Sequence, residues 1–407
     1  MANSVTTKYG LPEKIIFCKR CLMSNQRPAS IPEFKHLPDR RGAQYLHIDN
    51  DGVCDACRHA EKKEDINWNK REGELLKLLD QYRRNDGYYD CIVPGSGGKD
   101  SAYQSHILKY KYGMHPLTIT WPPILYTDYG YKNFRNWLEI GGFDNLTFKP
   151  NGRVHKLLTK LAIQNLFHPF QTFILGQKNI APKIAVNYKI PLIFYGENEA
   201  EYGNPIADNA SSLRDKSFYE MRDLSEVYLS GFSIPELMER HSLSLNDLTA
   251  YLPAPVEDLE KAKIEVHYLG YYLKWTPQEV YYYAVENNGF QARPFRTEGT
   301  YSKYNSIDDK IDDLHYYTTW IKFGLGRATY DASQEIRNKH LTREDGIALV
   351  KQFDGEMPSR YIHEIMDYID MDVNEFMELR DKFRSPHLWE KNNGDWKLRH
   401  PVWEDSI

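Results

Sequence analysis

Residues Gly95-Ser-Gly-Gly-Lys-Asp-Ser101 carry three glycines between two segments of opposite texture. Before them, residues 89–94 form a short apolar run of strand type. After them a helical pattern runs through Ala102, Ile107, Leu108 and Tyr112 and stops at Gly113, and residues 116–121 read as a second buried strand. Strand, glycine loop, helix and strand make a βαβ unit, which requires a parallel sheet and a right-handed crossover. A glycine turn at a helix N-terminus also exposes unpaired N–H groups at the positive end of the helix dipole. That combination holds phosphate.

The kind of loop follows from its residue types. A Walker loop needs Ser or Thr after its lysine, but Lys99 is followed by Asp100, and a dinucleotide fingerprint needs glycine at its sixth position, where GSGGKD has Asp100. Ser96 to Ser101 instead resembles the SGGxDS signature of the PP-loop ATP pyrophosphatases. The resemblance implies an α/β fold, a Rossmann-like parallel sheet of the adenine nucleotide alpha hydrolase type. Ser96, Ser101 and the amides of Gly97 and Gly98 are then expected to hold the β,γ-pyrophosphate of ATP, with Lys99 neutralising it. Asp100, an acid in a phosphate loop, makes sense as a Mg²⁺ contact. Pyrophosphate held as leaving group means attack at the α-phosphate, an adenylated substrate and later AMP. Thr120, at the carboxyl end of the second strand, is assigned to the same nucleotide site.

Further strands are expected at 145–149, 191–196 and 264–269, with helices at 131–139, 153–166 and 172–188 and a helical insertion over about 208–260. In open parallel sheets ligands gather at the carboxyl ends of strands. Glu197 and Asn198, following the 191–196 strand, are therefore taken as catalytic together with Lys99 and Asp100 of the loop, and Glu199 as a substrate contact; a solvated acidic loop is the plain alternative for 197–199. Residues 276–407 read as a helical substrate or partner region. There Asp308/Asp312 and Asp309/Asp313 repeat an acidic pair four residues apart, as a cation or ammonium site or a solvated helix start would. Asp309 is the member assigned to substrate. Lys322 and Arg327 flank two glycines and suit a phosphate or carboxylate clamp. Arg337 and Arg343 suit ion pairs as well as ligands, and Thr342-x-x-Asp345 looks like a capping box.

Four of the five cysteines form two CxxC pairs, Cys18/Cys21 and Cys54/Cys57, with 32 residues between them. Two such knuckles complete a closed tetrahedral S4 site, which zinc prefers. A closed site is structural, so residues 1–70 are expected to be a zinc-held ribbon and residues 71–275 the ATP-binding domain. Disulfides and a redox CxxC are the alternatives; the first 14 residues show no apolar leader, so a reducing, cytoplasmic setting is expected.

With these residues assembled, the chain resembles the N-acetyl sugar amidotransferases of bacterial surface-polysaccharide and nonulosonic-acid synthesis, the WbpG-like enzymes. The likeness runs through FCKRCL, CDAC, VPGSGGKDS, GEN-EYG, SIDDKIDDLH and KFGLGRATYDASQEIR. It implies conversion of an acetamido group on a sugar, in lipopolysaccharide O-antigen or nonulosonic acid, into an acetamidino group. ATP would adenylate the amide oxygen and ammonia would displace AMP. A glutaminase needs an activated nucleophilic cysteine. Four are committed to metal, Cys91 lies in a strand and residue 2 is Ala, so ammonia is expected from a separate glutaminase subunit.

Composition closes off other classes. No apolar run approaches the ~18 residues of a membrane span, and a net charge of −5 gives no reason to expect nucleic acid. Two rival readings remain. One is a PP-loop tRNA thiolase, which pairs the same loop with zinc knuckles but needs further cysteine chemistry. The other is a non-catalytic zinc ribbon that binds nucleic acid through Lys19, Arg20 and Arg58, which leaves the phosphate loop unexplained.

Overall fold

The computed structural model describes residues 6–38, 44–204 and 211–404. Its centre is a five-stranded parallel sheet of β1 (Cys91–Pro94), β2 (Pro116–Thr120), β3 (Asn145–Thr147), β4 (Leu192–Tyr195) and β5 (Glu265–Tyr268), in the spatial order β3-β2-β1-β4-β5. Register runs Cys91 opposite Pro116 and Ile92 opposite Ile193, with Leu192 opposite Glu265. β1 and β2 are buried throughout, which is why they read as continuous apolar runs rather than alternating ones.

Alternation survives in which layer each residue serves. Ile92, Leu117, Ile119, Ile193 and Val266 pack with Leu158, Leu175 and Ile180 of the Gly152–Leu166 and Gln171–Tyr188 helices. Cys91, Val93, Leu192 and Phe194 face the other way, onto Leu75, Leu79, Ile107, Leu108, Trp275 and Val280. The sheet is thus covered on both faces, and the fold is the α/β arrangement that the glycine loop requires. Helices occupy much of residues 311–382. Their core includes Ile311, Leu314, Ile321, Ile365 and Phe376, and reaches Ile163 and Phe167 at the end of the Gly152–Leu166 helix.

Several elements differ from the sequence reading. The 211–260 stretch holds two-residue strands as well as short helices such as Ile234–His241; residues 208–210 of the expected insertion lie outside the described residues. Trp389–Asn392 and Asp395–Leu398 form an antiparallel hairpin at the end of the helical region. Its signal was present in the sequence: Asn393-Gly394 takes φ +50° and +95°, as a two-residue primed turn demands. Among the described residues, no helix is long and apolar enough to cross a membrane.

The four knuckle cysteines are buried and their sulfurs lie within 4.8 Å of one another. Cys18 and Cys57 Sγ are 3.8 Å apart, and Cys21 and Cys54 Sγ 3.6 Å. Four thiolates around one ion at Zn–S bond length sit about 3.8 Å apart, so the donor set fits a tetrahedral metal. This N-terminal segment is seated on the C-terminal region: Leu22 N–H donates to Ser333 Oγ (3.2 Å), Tyr9 Oη to the Phe383 carbonyl (2.6 Å), and His387 Nε2 meets Gln26 Oε1 at 3.0 Å.

Candidate functional site

The strand order reverses at β1 and β4, since the chain leaves β1 toward β2 on one side and β4 runs on the other. Loops at the carboxyl ends of these two strands therefore flank the crevice where ligands bind in such sheets. After β1 come Gly95–Gly98, with Gly98 as N-cap of the Lys99–His106 helix. The first intrahelical bond is Ala102 N–H to the Gly98 carbonyl, so the amides of Lys99, Asp100 and Ser101 precede the ladder. Ser101 Oγ donates to the Gly98 carbonyl (3.0 Å) and accepts from Gly97 N–H (3.2 Å), which folds the loop over its own helix start. Gly97 sits at φ +86°, and a Cβ there would lie 2.5 Å from the Phe134 backbone. Only glycine lets the loop lie so close to the Asp128–Glu139 helix.

The loop faces a cavity of about 370 Å³ lined by Ser96, Lys99, Asp100, Glu197, Asp308 and Asp312, with Tyr202, Tyr304, Arg327 and Gln334 among its other walls. Lys99 Nζ donates to both Asp100 carboxylate oxygens at 2.8 Å. Ser96 Oγ donates to Asp308 Oδ2 (2.6 Å), joining the phosphate loop to the C-terminal region. Gly130 makes that approach feasible, because a Cβ on it would lie 2.4 Å from Asp308 Cα.

Glu197 accepts from Gln334 Nε2 (2.8 Å) and from the Tyr202 hydroxyl. Desolvation, followed by the nearby Asp100 carboxylate, pushes its carboxyl up to about 7. Asp312 is held well above the usual carboxylate range, first by desolvation and then by Asp308, Asp309 and Asp313. Arg327, on the same cavity, opposes that rise without cancelling it. Asp100, Asp308 and Asp312 line one cavity, with the Asp100 carboxylate held by Lys99 and Asp308 Oδ2 by Ser96.

The structure separates residues that the sequence grouped. Of Glu197, Asn198 and Glu199 after β4, only Glu197 lines the cavity. Asn198 is buried and caps the next turn, accepting from Ala200 N–H at 3.1 Å. Glu199 faces Asn204 (2.7 Å) and Arg214 (3.7 Å); desolvation opposes its charge, yet Lys178 and Arg214 hold its carboxyl below the usual range. Asp309 turns away from the cavity, and its carboxylate accepts the amides of Ile124 (2.5 Å), Leu125 (3.2 Å) and Ile311 (3.0 Å). Its neighbours Asp308 and Asp312 line the cavity instead. Lys322 is buried and donates to the Leu166 carbonyl (2.7 Å), outside the cavity that Arg327 lines. Arg327 pairs with Asp331 (2.9 Å) at the cavity wall. Thr120 is buried within the sheet and accepts from Asn145 Nδ2 at 3.0 Å. Arg337 donates to the Glu201 carbonyl (3.0 Å) and Arg343 to that of Cys21 (3.4 Å), so both tie segments together.

Gln334 and Tyr202, which hold Glu197, lie within the GEN-EYG and KFGLGRATYDASQEIR segments, but nothing in the sequence singled out their side chains. Their importance arises from tertiary proximity alone. Gly130→Ala is expected to push Asp308 off Ser96 and weaken binding of inorganic pyrophosphate at least tenfold, read by calorimetry, with the circular dichroism spectrum unchanged.

Among solved structures, the chain is similar to that of NMN synthetase from Francisella tularensis, at 12% identity over 56% of this chain and 99% of that chain, with a TM-score of 0.20. No curated protein matches the sequence. The C-terminal part of the cavity, with Asp308, Asp312, Arg327 and Gln334, lies in residues 298–401, which match the family described as LPS biosynthesis protein WbpG-like, C-terminal domain.

Proposed function

We propose that the chain is an ATP-dependent amidotransferase that converts the acetamido group of an N-acetylated sugar into an acetamidino group. The observation that carries this reading is the SGGKDS loop at the β1/β4 switch point, facing Glu197 across a cavity closed by WbpG-like residues. An amide carbon is a poor electrophile without a leaving group. In the proposed reaction the amide oxygen attacks the α-phosphorus of ATP and pyrophosphate departs. Ammonia then adds to the resulting imidate carbon, and AMP leaves with the former amide oxygen.

Each residue has a part that its position supports. Lys99 and the free amides at the start of the Lys99–His106 helix hold the charge that develops on pyrophosphate. Asp100 would contact Mg²⁺, which when bound neutralises phosphate charge. Glu197, with its carboxyl near neutrality, takes the proton shed when ammonia adds. Tyr304 and Asn305, on the C-terminal wall, border the space left for the sugar. The four cysteines would hold a structural Zn²⁺ with no open position for chemistry.

Cys91 bears on the ammonia source and on the thiolase rival. It is fully buried in β1, and desolvation pushes its thiol well above the ordinary range. A thiol in that state is not a nucleophile, which supports a separate glutaminase subunit and disfavours sulfur transfer.

Purified protein with Mg²⁺-ATP, ammonium chloride and a panel of N-acetylated nucleotide sugars and diacetamido nonulosonic acids is expected to yield AMP and a product with one oxygen replaced by NH, read by mass spectrometry. AMP formed only with tRNA and a sulfur donor would overturn the proposal. A base must be deprotonated to act, so kcat/KM, corrected for the ammonia fraction, should rise as pH passes upward through about 7, the value to which Glu197 is pushed. Glu197→Gln is expected to lower kcat at least 100-fold and to abolish that limb; an unchanged profile would remove Glu197 as the base.

A further inference from the structure

Glu33, His36 and His168 bring one carboxylate and two imidazoles together, away from both the knuckle cysteines and the cavity, and one ligand atom from each lies within 4.8 Å of the other two. Glu33 and His36 are both 8% exposed. Glu33 Oε2 is 3.3 Å from His168 Nε2 and 3.7 Å from His36 Nδ1. Both are ion-pair distances, and no hydrogen bond of good geometry reaches the buried Glu33 Oε2 among the described residues. An orphaned buried carboxylate oxygen with two ring nitrogens converging on it is an expensive arrangement unless something else occupies the centre. Donor atoms around a tetrahedral ion with bonds of ~2.1 Å stand about 3.4 Å apart, close to the separations observed.

The cluster is also fixed in place. Phe34, between the two chain ligands, is 2% exposed in the sheet core, so the segment cannot swing out to hydrate Glu33. Gln171 Nε2 donates to the Glu33 carbonyl (3.0 Å) from the first residue of the Gln171–Tyr188 helix. His168 lies in the short link before that helix, and its ring stacks on His315 at 5.0 Å. The surrounding charge does not exclude a cation. Glu33 feels His36 and His168 more strongly than Lys178, and Lys178 and Arg214 also serve Glu199.

We propose that Glu33, His36 and His168 form a second metal site that holds a first-row divalent cation such as Zn²⁺, with one coordination position open. Two imidazoles and a carboxylate are a donor set such ions accept, while harder Mg²⁺ and Ca²⁺ prefer oxygen alone. The ion would tie the segment that follows the first knuckle to the helices covering the sheet. This inference is independent of the reaction proposed above.

The full chain, stripped of metal under reducing conditions and reloaded with Co²⁺, distinguishes the two sites. Thiolate-to-cobalt charge-transfer bands report the cysteines, and weaker visible bands report nitrogen and oxygen ligands. The expected result is two equivalents in the unaltered protein by mass-spectrometric metal analysis. His168→Ala and Glu33→Gln should each hold one equivalent with the charge-transfer bands intact, which also shows that the variants fold. A single equivalent in the unaltered protein overturns the proposal, as do two equivalents retained in the His36→Ala/His168→Ala variant.

Discussion

The contact between Ser96 and Asp308 is the joint on which the site depends. It brings a loop built to attract negative charge against a segment rich in negative charge, across 212 residues of sequence. Two glycines permit the approach, Gly97 against the Asp128–Glu139 helix and Gly130 against Asp308 itself. The β1 loop and the C-terminal region thereby share one cavity, to which neither contributes a complete set of groups. An anion cradle lined by carboxylates is stable only with cations between them, and Lys99 paired to Asp100 already supplies one.

Desolvation sets the character of the acids in this cavity. Glu197 and Asp312 are both raised, Glu197 to about 7 and Asp312 well above the usual carboxylate range. The first has hydrogen bonds from Gln334 and Tyr202 that fix its orientation, which suits a group that must receive a proton at a defined point. The second is pressed by three aspartates and gains most from a bound cation. Two carboxyls in one cavity thus suit different tasks because their neighbours differ.

The sheet was legible because its strands are buried on both faces and its glycine loop admits few folds. The loop at the helix start was legible too, since its glycines and serines lie in seven consecutive residues. What escaped the sequence was side-chain direction. Asp308 and Asp309 are adjacent and chemically alike, yet one lines the cavity and the other caps backbone amides at the start of the Ile311–Phe323 helix. Lys322 and Arg327 were paired by proximity in sequence, but Lys322 is buried against the Leu166 carbonyl, outside the cavity that Arg327 lines. The loop after β4 shows the same limit, as Glu197 and Glu199 point to separate networks two residues apart.

The central claim is that the amide oxygen attacks phosphorus and later leaves on AMP. It is tested most directly with an acceptor sugar labelled with ¹⁸O in its acetamido carbonyl. Turnover with unlabelled ATP in unlabelled water should place one ¹⁸O in the phosphate of AMP and none in pyrophosphate. Unlabelled AMP, with the isotope retained in the sugar or released to water, would contradict adenylation of the amide.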